Sequence, residues 1–400
     1  MASKSYMACG ASRAHFVPLI VNLCCVLLIA DLQGCAAPFL TKSKYLEADN
    51  NFPGLEELFK KGRAQAVFVH GMGTHYPDWS APMRKRLARG LELQELAGPN
   101  CRQQKYLLGG KAQLLTADYV NPDRSKFLRS YEVVWSPLTD DAKQRMNKAD
   151  NLDGFTEKRV LANKWLKDLM NNYFVDPVIY TGSQGNPIRE AMKEAVRQII
   201  TDDLDQPCDA RNQENVQPPA RRDARDDSVV LFGHSLGSRI IYDALLALSA
   251  PAPNNSPRTM ESLRRFANKI RVIYMMANQI ALLDMSGAVD QTKASGGSIS
   301  TLMQLIDQGR PLDIIAFSDP NDILTYPLQR EACEQFRTKF LVNCANVFVS
   351  VGDVVMDAFV MPTSAHTKYM VNDDVIYAIQ KGWPAAGRVQ QMVAPAVLER

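Results

Sequence analysis

The sequence predicts an α/β protein with a mostly parallel central sheet and helices on both of its faces. Three observations support this class. Short apolar runs alternate along the chain with longer stretches whose apolar residues recur at helical spacing. The short runs are apolar at successive positions, which is typical of strands buried on both faces of a parallel sheet. A serine between glycines, Ser235, stands where one such run meets a helical stretch.

The composition is that of an ordinary globular protein. Hydrophobic residues make up 46% of the 400 residues, so the chain can bury a large core. The formal net charge is +3 without a concentrated basic stripe, so we expect no nucleic-acid partner. The GxxxxGKS/T, strand-linked GxGxxG and HExxH motifs are missing, so the sequence predicts no cofactor and no metal.

Six strands and five helices are predicted. The clearest strand is Gln65–His70, and the clearest helix has an apolar stripe over 188–200. The predicted strands lie at 65–70, 131–135, 229–232, 270–274, 313–317 and 346–350, and the predicted helices at about 82–95, 158–174, 188–200, 238–249 and 371–381.

The N-terminus has the pattern of an export signal. Lys4 and Arg13 precede an apolar run, Phe16–Ala30, which is short for a membrane span and suits a secretory signal. We therefore divide the chain into a signal peptide (1–34), a polar, turn-rich N-terminal tether (35–64) and a folded domain (65–400).

Leu32-Gln33-Gly34-Cys35 resembles the lipobox of bacterial lipoproteins. The resemblance implies cleavage before Cys35, acylation of that cysteine and attachment to a membrane surface of the bacterial cell envelope. Ala36, where an aspartate would indicate retention, is similar to the pattern of outer-membrane sorting. Conventional cleavage near Ala36 or Ala37, giving a periplasmic or secreted protein, and a retained anchor stay open.

Four cysteines remain after the signal and Cys35 are set aside, an even number in a compartment that permits disulfides. Cys333 and Cys344 are close in sequence and are the favoured pair, which leaves Cys101 and Cys208 to close a long loop. The sequence does not exclude the other connectivities.

The strongest chemical signal is Gly233-His234-Ser235-Leu236-Gly237. An apolar run, 229–232, precedes it, and a helical stripe follows it. A tight strand-to-helix turn exposes a serine hydroxyl beside backbone N–H donors, and flanking glycines make room for that turn. Ser235 is therefore the predicted nucleophile.

A second signal is the predicted strand that ends in His70-Gly71-Met72-Gly73. This pattern resembles the oxyanion loop of esterases and lipases of the α/β-hydrolase superfamily. The order of elements over roughly 65–382 is similar to that superfamily, although four short places carry the specific match. The resemblance implies that the backbone N–H groups of Met72 and Leu236 hold the developing oxyanion.

The general base is found largely by elimination among the four histidines outside the signal. His70 and His75 belong to the oxyanion loop, and His234 neighbours the nucleophile in an unsuitable direction. His366 follows the last predicted strand, and it alone fits the superfamily order of serine, acid and histidine.

The acid is expected in DIIAFSDPNDILTYPL, after the strand 313–317. Asp322 precedes the apolar pair Ile323-Leu324, which matches the superfamily pattern best. Asp319 precedes Pro320 and is typical of a turn former, and it stays the alternative acid.

The resemblance implies hydrolysis of carboxylic esters, and the opening HGMGTH is similar to esterases that act on lipids. Segments 139–185 and 284–311 interrupt the alternation of strands and helices and are candidate caps over the acyl site. The same three side chains also serve phospholipases and acyltransferases. An inactive hydrolase fold acting as an envelope scaffold is a further alternative.

Overall fold

The computed structural model describes residues 46–59, 63–98, 101–107, 110–202, 204, 208–209, 227–249, 257–285, 311–331, 333–334, 341–355, 359–360 and 362–383. All of these residues belong to one compact unit, Leu40–Arg400. The predicted signal peptide, the predicted lipidation site Cys35 and most of segment 284–311 lie outside the described residues. Within the described ranges, no helix is long and apolar enough to cross a membrane.

The strands of the described residues are β1 (Leu46–Ala48), β2 (Phe52–Pro53), β3 (Arg63–Val69), β4 (Gln94–Glu95), β5 (Arg102–Leu107), β6 (Ala112–Val120), β7 (Phe127–Val134), β8 (Ser228–His234), β9 (Ile270–Met276), β10 (Leu312–Ser318), β11 (Val342–Val349), β12 (Val354–Val355), β13 (Phe359–Val360) and β14 (Gly382–Trp383). Ten of them form one sheet in the order β1-β11-β10-β9-β8-β3-β7-β6-β4, with β5 paired to β6. The strands from β11 to β7 run parallel. At one edge β1 is antiparallel to β11; at the other edge β6 is antiparallel to β7, and β4 and β5 are each antiparallel to β6.

The α-helices of the described residues are α1 (Leu55–Phe59), α2 (Ala81–Gly90), α3 (Asp140–Asp150), α4 (Leu161–Leu169), α5 (Val175–Thr181), α6 (Asn186–Thr201), α7 (Leu236–Ser249), α8 (Pro257–Ala267), α9 (Ile280–Asp284), α10 (Pro362–Thr367) and α11 (Asp373–Lys381). A π-helical turn, Met170–Phe174, connects α4 to α5.

The side chains of strand β3 are buried in two hydrophobic cores, one on each face of the sheet. Successive side chains of a strand point to opposite faces. Val67 and Val69 therefore pack with the residues of α6 and α7, whereas Ala66 and Phe68 pack with those of α2 and α11. Burial on both faces explains why the central strands are apolar at successive positions. The predicted class, a mostly parallel sheet with helices on both faces, is confirmed.

The parallel strands end together along one edge of the sheet. Val69 of β3 pairs with Gly233 of β8, and His234 pairs with Met276 of β9. Met276 pairs in turn with Phe317 of β10. Because the carboxyl ends of neighbouring parallel strands form the usual ligand crevice of such sheets, residues that follow β3, β8 and β10 meet in one place.

All six predicted strands are present, although β3, β7 and β11 end one residue earlier than predicted. The helices predicted at 188–200, 238–249 and 371–381 are present too, and the last of them begins at Asp373. The helix predicted at 82–95 ends at Gly90, since Glu92 has a positive φ of 59° and Gln94 already belongs to β4. The helix predicted at 158–174 begins at Leu161 and changes to the π-helical turn at Met170.

Within the predicted tether, 35–64, the described residues 46–59 and 63–64 contribute strands and a helix to the folded unit. Leu46 pairs with Val349 of β11, and Phe52, Leu55 and Phe59 are buried in the core beneath α11. Leu55 and Phe59 are four residues apart, as on one face of a helix, but α1 has only five residues, too few for the spacing to stand out in the sequence.

Both favoured disulfides are formed in the structure. Cys101 is bonded to Cys208, with Cα atoms 4.7 Å apart, and Cys333 is bonded to Cys344, with Cα atoms 5.9 Å apart. The first joins chain segments 107 residues apart, and the second ties the residues after β10 to β11.

Candidate active site

Ser235 lies in a strained turn between β8 and α7. Its φ is +54°, a left-handed conformation that costs energy for a residue with a Cβ atom, and its N–H donates to Met276 O at 2.8 Å. A Cβ atom on Gly237 would lie 2.1 Å from Val69 O, and one on Gly233 would lie 2.6 Å from the Cα of Ser238. The two glycines are therefore required for α7 to approach the sheet this closely, as the turn prediction expected.

Three distant side chains meet at this turn. His366 Nε2 lies 2.8 Å from Ser235 Oγ, and His366 Nδ1 lies 2.9 Å from Asp322 Oδ2. All three side chains are buried. A hydroxyl, an imidazole and a carboxylate in this order can pass a proton from the hydroxyl to Nε2 while the carboxylate fixes the tautomer. His366 lies on the short helix α10, which precedes α11.

The two candidate acids have different partners. Asp322 faces His366 and also accepts hydrogen bonds from Leu324 N and Tyr369 Oη. Asp319 accepts from backbone N–H groups instead: Asn321 N at 2.9 Å, Val351 N at 2.8 Å and Gly352 N at 3.1 Å. Asp319 thus holds the turn after β10 to the end of β11, and Asp322 is the carboxylate in contact with the imidazole.

His234 forms a hydrogen bond to the backbone of His366. Its Nε2 lies 2.9 Å from the backbone carbonyl of His366. Burial lowers the pKa of His234 to about 3, so the ring is neutral near pH 7 and Nε2–H donates to that carbonyl. Sequence reasoning had set His234 aside and had assigned it no contact.

The residues of the predicted oxyanion loop lie directly against the nucleophile. A Cβ atom on Gly71 would be 2.6 Å from Ser235 Cβ and 2.9 Å from His234 O. Met72, the next residue, is buried, and Leu236 is the first residue of α7. A helix N-terminus presents unpaired N–H groups and a positive dipole end, both of which favour a negative oxygen.

His70 and His75 form a stack with Trp135 beneath this loop. The His70 ring centroid lies 4.2 Å from that of His75 and 4.5 Å from that of Trp135, in nearly parallel planes. His70 Nε2 accepts from the backbone N–H groups of Trp135 and Ser136, while Nδ1 donates to Gly71 O at 2.8 Å. Burial lowers the pKa of both histidines, that of His75 to about 4. Both rings are therefore neutral structural groups that shape the loop.

Segment 139–185, here called the cap segment, holds the loop from the other side. Gly73 N donates to Asp176 Oδ2 at 2.7 Å, and Lys143 Nζ donates to the same oxygen at 2.8 Å. Both charged side chains are buried. Gly73 has a φ of +93°, and a Cβ atom there would lie 2.6 Å from the ring of Tyr173. Sequence reasoning missed this contact because Lys143 and Asp176 lie in ordinary polar helices that carry no motif.

A second buried pair anchors the cap segment to α7. Tyr180 Oη donates to Asp243 Oδ2 at 2.7 Å, and Arg239 Nε donates to Asp243 Oδ1 at 2.8 Å.

Among the described residues, no group of three or more histidine, cysteine or acidic side chains could hold a metal ion.

No family model matches the chain, and no curated protein matches it. Among solved structures, esterase B from Lactobacillus rhamnosis aligns over 90% of this chain and 89% of its own, with a TM-score of 0.32 and 10% identity. Acetyl xylan esterase 1 from Thermoanaerobacterium sp. JW/SL YS485 aligns over 74% of this chain and 91% of its own, with a TM-score of 0.23 and 9% identity. At these scores we take no inference from the likeness.

Proposed function

We propose that the protein is a serine hydrolase that cleaves carboxylic esters through an acyl-enzyme. One observation carries the proposal: Ser235 Oγ lies 2.8 Å from His366 Nε2, whose Nδ1 lies 2.9 Å from Asp322. The strained backbone of Ser235 supports it, because strain of this kind is retained where a side chain must be presented in one direction.

In the proposed reaction, Ser235 Oγ attacks the ester carbonyl carbon while His366 Nε2 takes the hydroxyl proton. The tetrahedral intermediate collapses, the C–O bond to the alcohol breaks, and the alcohol leaves with the proton from His366. Water then attacks the acyl-enzyme, His366 again accepts a proton, and the carboxylic acid is released as Ser235 recovers its proton. Asp322 holds the imidazole tautomer and stabilises its charged form.

The carbonyl oxygen becomes negative in both tetrahedral intermediates. We propose that the backbone N–H groups of Met72 and Leu236 stabilise it. The close packing of Gly71 on Ser235 supports this assignment, because it leaves the loop and the helix N-terminus on either side of the nucleophile. A single donor of this kind contributes roughly 3–4 kcal/mol to transition-state stability.

A fluorophosphonate probe tests the nucleophile. We expect stoichiometric labelling at Ser235 in the full chain, with the adduct located by peptide mass spectrometry. Ser235→Ala should remain unlabelled, and His366→Ala should label far more slowly. Asp319→Asn serves as a matched carboxylate control and should still label. Absence of labelling in folded protein would contradict the proposal and favour an inactive envelope scaffold.

We propose a lipid-like ester as the substrate class, because the sequence HGMGTH at 70–75 is similar to esterases that act on lipids. Esters of increasing acyl length, each compared with Ser235→Ala, would define the preference. Labelled phospholipid, supplied with and without an alcohol acceptor, separates an ester hydrolase from a phospholipase and from an acyltransferase. Transfer to the alcohol at the expense of free acid would assign the third of these activities.

We also propose that the protein is a lipoprotein of the bacterial cell envelope, acylated on Cys35. The test is metabolic labelling with an alkyne fatty acid, followed by mass analysis of the mature N-terminus. Cys35→Ser should lose the label. An unlabelled N-terminus near Ala36 or Ala37 would instead indicate conventional cleavage, and an intact N-terminus would indicate a retained anchor.

A further inference from the structure

Helix α4 is exposed along its whole length, although half of its circumference is apolar. None of its nine residues is buried. Leu161 is 84% exposed, Trp165 53% and Leu166 50%. Large apolar side chains exposed together in this way mark a binding surface in a soluble domain.

The apolar residues of α4 form one continuous face. At 100° per residue, Leu161, Trp165 and Leu166 fall within one half of the helix, and Asn163, Lys164, Lys167 and Asp168 occupy the other half. The exposed side chain of Met170 extends the apolar face at its C-terminal end. We call these four apolar residues the α4 face: Leu161, Trp165, Leu166 and Met170.

Positive charge flanks the α4 face. Between positions 157 and 168 the chain has four basic residues and two acidic ones, Glu157 and Asp168. Lys158 and Lys164 are exposed, whereas Arg159 and Lys167 lie 2.9 Å and 3.8 Å from Asp150. A tryptophan and leucines on one side of a helix, with lysines beside and opposite them, is the composition of helices that lie in the interface of an anionic bilayer.

We infer that the α4 face docks on an anionic lipid surface, with Trp165 and the leucines entering the headgroup region and the lysines facing lipid phosphates. The charge of Lys158 and Lys164 favours this occupant, because an apolar protein partner would cover the α4 face but would leave these two exposed lysines without an anionic counterpart. The helix lies parallel to the surface and does not span it.

The α4 face is followed in the chain by residues that contact the predicted oxyanion loop. The chain continues from Met170 through the π-helical turn to Tyr173, which packs on Gly73, and to Asp176, which accepts from Gly73 N. A lipid surface bound at α4 therefore lies next to the segment that contacts the oxyanion loop. The docking itself does not depend on the proposed esterase activity.

Vesicle partitioning tests the inference without catalysis. The protein is the unit 40–400, whose sheet and both cores are made from its own residues, with Ser235→Ala to prevent hydrolysis. We expect binding to phosphatidylglycerol vesicles and weaker binding to phosphatidylcholine vesicles. Leu161→Gln/Trp165→Gln/Leu166→Gln should lower the partition coefficient at least roughly tenfold. Tyr106→Gln, which removes an exposed aromatic side chain of β5, should leave it unchanged.

A second variant, Lys158→Gln/Lys164→Gln, tests the contribution of positive charge to vesicle binding. We expect about a tenfold loss on anionic vesicles that disappears at high salt, and little change on neutral ones. In the full chain, hydrogen exchange should show protection of residues 158–170 when vesicles are added.

Three results would overturn the inference. The triple variant could bind vesicles as well as its parent. Light scattering could show a dimer that the triple variant abolishes, which would assign the α4 face to a second copy. Residues 158–170 could be protected in the full chain without vesicles and unprotected in the unit 40–400, which would assign the face to the N-terminal segment. Failure of fluorophosphonate labelling would leave the vesicle result unaffected, so the two proposals fail separately.

Discussion

The strand ends around Ser235 and the helix α4 differ in how far their side chains are buried and hydrogen-bonded. At the strand ends, the side chains of Ser235, His366 and Asp322 are buried and joined by hydrogen bonds. In α4 no residue is buried, and the apolar residues face outward. Removing one member of a buried, fully hydrogen-bonded network leaves another polar group without its partner, so substitutions there should have large effects. The exposed helix has few native contacts to lose.

The largest effect should come from Asp322→Asn. An amide at this position can donate to His366 Nδ1, which would move the imidazole proton to Nε2 and remove the base facing Ser235. We expect kcat to fall by roughly 10⁴-fold with the fold intact. Steady-state kinetics on an ester, together with circular dichroism, would measure both properties.

Asp319→Asn sharpens that result, because the two carboxylates lie three residues apart and are both buried. Asp319 accepts from Val351 N and Gly352 N, so its loss should reduce the free energy of unfolding by about 1–3 kcal/mol. It should change kcat much less than Asp322→Asn does. Equal losses of kcat in the two variants would remove the distinction between acid and turn former.

The second effect concerns the buried pair Lys143–Asp176. Asp176→Ala would leave the Lys143 ammonium buried without its partner and Gly73 N without its acceptor. We expect a loss of about 3–5 kcal/mol in the free energy of unfolding, measured by urea denaturation. Replacing both partners, as Lys143→Met/Asp176→Leu, should recover part of the loss. If the single variant is as stable as its parent, the cap segment does not hold the oxyanion loop as described.

The sequence predicted the central strands and Ser235 because local patterns specify them. Val67 and Phe68 are apolar because both faces of β3 are covered, and Gly237 is fixed by its contact with Val69 O. The sequence favoured Asp322 over Asp319 as the acid that faces His366, but it left both residues open. Each carboxylate lies in the same turn, and the backbone partners of Asp319 come from the end of β11.

Contacts between distant segments were not predictable. Lys143 and Asp176 acquire their role because two polar helices fold over Gly73, and neither helix has a pattern that reports it. The strand β1 was assigned to a tether because three residues pairing with a distant edge leave no period in the sequence. Hydrophobic periodicity reports which face of an element is covered, and it does not report which polar groups meet across the fold.

The third effect is a dependence of stability on pH. Burial lowers the pKa of His234 to about 3 in the folded chain, whereas an unfolded histidine titrates near 6.5. As the pH falls below about 6.5 the unfolded state takes up a proton that the folded state does not, so acid favours unfolding until about pH 3. Between pH 8 and pH 5 this histidine should account for about 2 kcal/mol of lost stability. His234→Gln, which retains a donor for the carbonyl of His366, should lose correspondingly less over that interval in urea titrations. An unchanged slope would contradict the assignment.

The smallest effect should be that of Leu161→Gln/Trp165→Gln/Leu166→Gln on stability. These side chains face outward, so their replacement should change the free energy of unfolding by no more than about 0.5 kcal/mol per position. Met192→Ala, in the buried stripe of α6, should cost about 2–5 kcal/mol and serves as the matched apolar control. A loss in the triple variant comparable to that of Met192→Ala would mean that the α4 face is covered within the folded chain. The face would then be unavailable to lipid, because the side chains needed for docking would already be holding the protein together.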